Sequence, residues 1–76
     1  MLDVLGIERI VLDEILEREN LTSSDIETYE IYVCNSPYKE PRYIGKSPIL
    51  EQAENVRKAN EGIIKVRFKD GRLFLL

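Results

Sequence analysis

Five groups of residues have types and spacings that could do chemistry. Gly45-Lys46-Ser47 resembles the end of a phosphate-binding loop. That loop needs a glycine five positions before Gly45, and the residue there is Glu40. Pro37 and Pro41 also remove two amides from any phosphate cradle, so nucleotide binding is not expected. Cys34 is the single cysteine and the chain has no histidine. A Cys-His or Ser-His nucleophile pair, a disulfide within the chain and a structural zinc site are therefore all ruled out by composition. The expectation for Cys34 is a small hydrophobe in a strand. Asp13, Glu14 and Glu17 lie within one helical turn and could hold a hard cation, but such clusters are usually a solvated helix face.

Two charged surfaces remain. Lys65, Arg67, Lys69 and Arg72 fall close together with Phe74 near them. Cations interleaved with rings on an open sheet suit an anionic protein surface or single-stranded nucleic acid, with Tyr32 and Tyr43 as further stacking groups. The alternative is a solvated sheet face on which Lys and Arg oppose aggregation. Glu8, Asp13, Glu14 and Glu17, with Glu19, form an acidic surface that could meet a basic groove on a partner.

The overall balance hides a division. Residues 1–30 carry nine acidic and two basic groups, while 31–76 carry nine basic and five acidic, so −7 and +4 combine to the net −3. Either the halves attract each other within the fold or each faces a charged partner.

The elements that must position these groups are legible from pattern. Val4, Ile7, Val11 and Ile15 recur at helical spacing over about 3–20, with Asp3 as a cap and Gly6 weakening the first turn. Ser24 and Glu27 have the spacing of a capping box. Residues 28–34 alternate as a strand, with Tyr29, Ile31 and Val33 on one face. Residues 35–41 form a loop, and 42–46 a short second strand. Ser47-Pro48 starts a second helix with Ile49, Ala53 and Val56 as its apolar stripe, and Gly62 ends it. Residues 63–69 and 72–76 flank Asp70-Gly71 as a hairpin with a two-residue turn. That register puts Ile64, Val66, Phe68, Leu73 and Leu75 on the core face, and Phe74 and Leu76 on the basic face.

The order α-β-β-α-β-β closes as a single domain spanning 1–76. It is an α+β, two-layer fold with a four-stranded, largely antiparallel sheet and both helices on one face. Ile10, Phe74 and Leu76 have no home in a two-layer monomer, so they are candidates for an oligomer interface, a homodimer being the commonest arrangement. No membrane span and no basic leader are apparent, which gives the expectation of a cytoplasmic protein. No cofactor is expected. The reading that follows is a non-enzymatic protein-interaction module: a small regulator or inhibitor of a larger macromolecular machine. Its compactness would suit a phage or mobile-element origin. The alternatives are a small nucleic-acid-binding protein using the basic hairpin face, and a homo-oligomeric building block.

Overall fold

A computed structural model describes residues 6–34, 37 and 39–76. Helix α1 runs Gly6–Glu19, followed by a 3-10 turn at Ser23–Asp25 and strand β1 at Ile26–Val33. Strand β2 spans Arg42–Ser47, helix α2 Leu50–Asn60, strand β3 Ile63–Phe68 and strand β4 Leu73–Leu75. The sheet order is β2-β1-β3-β4 and each neighbouring pair is antiparallel. This is the α+β class expected from the sequence, with two helices and a four-stranded antiparallel sheet. Asp3 and Val4 lie outside the described residues. Among the described residues, no helix is long and apolar enough to cross a membrane.

The core forms between the helices and one face of the sheet. Tyr29 and Ile31 of β1 meet Ile64, Val66 and Phe68 of β3, with Leu50 and Ala53 of α2 and Leu12 and Ile15 of α1 above them. Alternation of side chains along a strand delivers this face. The helices turn out to be rotated from the expected stripes. Ile7 is exposed, whereas Glu8 shares the buried side with Leu12 and Ile15. In α2 the inward residues are Leu50, Ala53 and Glu54, while Ile49 and Val56 are exposed. Glu8 and Glu54 can take inward positions because each lies where the two helices meet: Glu8 Oε2 is 3.1 Å from Arg57 Nε.

Helix ends explain further departures. Helix α1 stops at Asn20, which adopts φ 57°, while the Leu21 amide donates to the Leu16 carbonyl at 2.8 Å. Asparagine tolerates this left-handed cap better than most residues. The following turn is closed by Thr22 and Asp25, not by Ser24 and Glu27. The Thr22 amide donates to Asp25 Oδ2 at 2.8 Å and the Asp25 amide to the Thr22 carbonyl at 2.9 Å. Ser47 belongs to β2, and α2 starts later, at Leu50. Its hydroxyl oxygen accepts the Ile49 amide at 3.1 Å, so it still organises the entry to the helix. At the end of α2 the left-handed residue is Glu61 (φ 52°), not Gly62. Gly62 is required for a different reason: a Cβ there would lie 2.4 Å from the Tyr32 carbonyl oxygen of β1.

The hairpin carries the largest correction. Its loop has three residues, Lys69, Asp70 and Gly71. The Phe68 amide donates to the Arg72 carbonyl at 2.8 Å, the Gly71 amide donates to the Phe68 carbonyl at 2.9 Å, and Gly71 has φ 99°. This is a type I turn followed by a left-handed glycine, the usual three-residue hairpin. It pairs Arg67 with Leu73, Val66 with Phe74 and Lys65 with Leu75. A one-residue slip sends every side chain of β4 to the opposite face. Phe74 and Leu76 therefore pack against the core, and Leu73 and Leu75 are exposed.

Candidate functional site: the open face of the sheet

The face of the sheet opposite the helices carries Thr28, Glu30 and Tyr32 from β1, Lys65 and Arg67 from β3, and Leu73 and Leu75 from β4. Glu30 is its hub. It sits on a central strand, opposite Lys46 on one side and Lys65 on the other. Arg67 donates through Nε to Glu30 Oε2 and through Nη2 to Oε1 at 3.2 Å, and the Tyr32 hydroxyl donates to Oε1 at 2.6 Å. The fork geometry of arginine makes this two-point grip specific. The Arg67 hydrogen bonds hold the Glu30 carboxyl below its ordinary pKa, against the opposing effect of burial. Conversely, donation to Glu30 raises the Tyr32 phenol.

Aromatic and cationic groups are stacked beside this hub. The Tyr32 and Tyr43 rings meet edge to face with centroids 5.7 Å apart. Lys65 Nζ lies 4.8 Å from the Tyr32 ring centroid, within the range of a cation–π contact. At the hairpin loop, Arg72 Nη2 is 2.7 Å from Asp70 Oδ2 and Nη1 is 3.0 Å from Glu19 Oε1. Hydrogen bonds from Arg72 hold the Asp70 carboxyl below its ordinary pKa.

These contacts redistribute the residues singled out from sequence. Lys65 and Arg67 share the open face. Lys69 and Arg72 sit in and beside the hairpin loop, where the Lys69 amide donates to the Asp25 carbonyl at 2.9 Å. Phe74 leaves the basic face altogether. Its ring packs edge-on against Phe68 on the core side, centroids 5.7 Å apart, under the Arg18 guanidinium of α1. The Leu76 amide donates to the Ile64 carbonyl at 2.9 Å, which continues the ladder. Of the expected oligomer residues, only Ile10 is exposed, one turn from exposed Ile7.

The acidic surface shrinks in the same way. Glu8 is buried against Arg57, which leaves Asp13, Glu14 and Glu17 exposed on α1. Cys34 follows β1 and is exposed, and its Sγ is 3.6 Å from the Lys39 carbonyl oxygen. The division of charge is resolved in part inside the fold. Glu8, Glu19 and Glu30 of the acidic half each pair with an arginine of the basic half: Arg57, Arg72 and Arg67.

Two exposed apolar residues of the sheet were assigned to the core from sequence: Leu75 is 58% exposed and Leu73 36%. Tyr43, expected on this side, is 49% exposed. Tyr43 lies on edge strand β2, and Leu73 and Leu75 on edge strand β4, so they flank the Tyr32–Lys65–Arg67 centre. Alternation could have found the two leucines had the loop length been known. Comparison with protein-family models, with curated proteins and with solved structures returns no match. The fold therefore defines a class, α+β with one uncovered sheet face.

Proposed function

We propose that the chain is a non-enzymatic protein-interaction module, a small regulator or inhibitor that docks on a larger protein through the open face of its sheet. One observation carries this reading: both edge strands of that face expose apolar groups, beside the exposed Lys46 of β2 that stands opposite Glu30. Tyr43, Leu73 and Leu75 project from its edges. The cations between them are engaged, Arg67 by Glu30 and Lys65 by the Tyr32 ring. A phosphate backbone needs cations that can exchange counterions for phosphates. Here a phosphate would have to compete with Glu30 for Arg67, and the net charge of −3 opposes it further. A protein surface, by contrast, gains from an aromatic and aliphatic patch around a fixed polar centre.

The test is capture of partners from native lysate with the tagged chain, with and without nuclease, alongside Tyr43→Ala combined with Leu75→Asp. A stoichiometric protein that survives nuclease and is lost with the double variant is the expected result. Loss of all bound material on nuclease treatment would replace this reading with nucleic-acid binding. A homodimer with nothing attached would leave assembly as the function.

A further inference from the structure

The two edges of the sheet differ in how they are protected. An edge strand offers unpaired backbone groups to any other strand, and proteins blunt it with bulges, proline or charged side chains. Edge strand β2 is guarded in this way. Its pairing with β1 is irregular at Ile31 and Tyr32, and Arg42 and Lys46 stand exposed along it. Edge strand β4, Leu73-Phe74-Leu75, carries no charge and no proline, and its register with β3 is unbroken.

Backbone alternation defines what this edge offers. The Phe68 amide donates to the Arg72 carbonyl at 2.8 Å and the Leu76 amide to the Ile64 carbonyl at 2.9 Å. In an antiparallel ladder bonded pairs recur at every second residue, so Phe74, opposite Val66, turns its amide and carbonyl towards β3. Leu73 and Leu75 lie between bonded pairs, and their amides and carbonyls point away from the sheet. Among the described residues no other element bonds to them. Their exposed side chains line the same edge on the open face. The complement of this edge is a strand with the same alternation and with apolar side chains on the same face.

β4 is its own complement. We propose that two copies of the chain pair through β4, antiparallel about a two-fold axis at Phe74, so that their sheets continue into one another. This register sets Leu73 opposite Leu75 of the second copy and Leu75 opposite its Leu73, so both outward residues meet outward residues. Centring the pair on Leu73 or on Leu75 leaves the other leucine without a partner in β4. Each opposed leucine pair exchanges two N–H···O bonds, and the four side chains cluster on the open face. A two-fold contact uses the same edge of both copies and closes at the dimer. Because β4 has three residues, the contact is small and the dimer weak, half formed at about 0.1–1 mM. At micromolar concentration the chain is a monomer with Leu75 in solvent. The pairing leaves Tyr43 and Lys46 on the far edge untouched and does not rest on docking to a larger protein.

The test is sedimentation equilibrium of the full chain from roughly 10 µM to 1 mM, a range that brackets weak association, with amide exchange followed by NMR at both ends. The mean mass should rise from one chain towards two. Exchange of the Leu73 and Leu75 amides should slow by about twofold or more at the higher concentration, while that of Phe74, which already faces β3, changes less. Leu73→Glu combined with Leu75→Glu sets like charges opposite each other across the axis and should weaken the dimer by about tenfold or more. Leu73→Lys combined with Leu75→Glu sets opposite charges there and should dimerise better than the double glutamate variant. Circular dichroism verifies that both variants fold. A mass that stays at one chain up to 1 mM overturns the proposal. So does association that is unchanged in the double glutamate variant, or a lysine–glutamate variant that dimerises no better than the double glutamate one.

Discussion

Alanine at Phe74 and alanine at Leu75 should have very different consequences, although the residues are adjacent in one short strand. In the observed register Phe74 faces the core, edge-on to Phe68, while Leu75 is 58% exposed on the open face. Truncating a fully buried phenylalanine costs about 3–5 kcal/mol, and the ring pair accounts for roughly 0.5–1.5 kcal/mol of such a site. Phe74 is only partly buried, so its loss should cost about 2–3 kcal/mol. Leu75, mostly in solvent, should cost about 0.5 kcal/mol or less. A domain of 76 residues has a total stability of roughly 4–11 kcal/mol. Phe74→Ala therefore removes a large share of it and should lower Tm by about 8–24 °C, against a shift within about 4 °C for Leu75→Ala. Urea and thermal unfolding followed by far-ultraviolet circular dichroism measure both. If Leu75→Ala costs as much as Phe74→Ala, the hairpin turns on two residues, Leu75 faces the core, and the assignment of the open face is wrong.

Neighbouring residues at the end of α2 should respond with opposite signs. Gly62→Ala places a methyl group 2.4 Å from the Tyr32 carbonyl oxygen and should destabilise by at least about 1–3 kcal/mol, the usual range for overpacking. Glu61→Gly relieves a left-handed glutamate and should be neutral or stabilising by up to about 1 kcal/mol in the same unfolding assay. Acid should act through Glu30, whose folded pKa lies below its ordinary value of 4.5. Its contribution is complete above that value and is lost as pH falls through the folded pKa. Glu30→Gln should thus lower Tm at neutral pH, and the gap to the parent chain should narrow on acidification below pH 4.5. Glu54 behaves oppositely, because its folded pKa is raised above 4.5. Its penalty applies above the folded pKa and disappears as pH falls towards 4.5, so Glu54→Gln should raise Tm at neutral pH, with the gain shrinking through that window.

The sequence by itself determined the succession of elements. Helical spacing around Leu12 and Ile15, alternation around Tyr29 and Ile31, and Asp70-Gly71 between two apolar runs are local signals. Each reflects a preference that a few neighbouring residues decide. Antiparallel closure of four strands with two helices on one face followed from burying those apolar faces together.

Tertiary structure alone decided which groups became surface. Asp-Gly is compatible with a two-residue and a three-residue turn, since both place glycine at positive φ. The choice between them depends on the space beside Phe68 and beneath Arg18, which Phe74 fills. That contact is non-local, and it moves Leu73 and Leu75 onto the open face. Helix rotation was undecided for a related reason. Glu8 read as part of an acidic surface until Arg57 and the approach of two helices give it an interior position. Gly62 looked like a cap because glycine is common there, but its need is set by β1 passing against it. The charge division was open between outside partners and pairing within the fold until three distant glutamate–arginine pairs met in space. In each case the deciding atoms lie far apart in the chain, and only the folded packing brings them within reach.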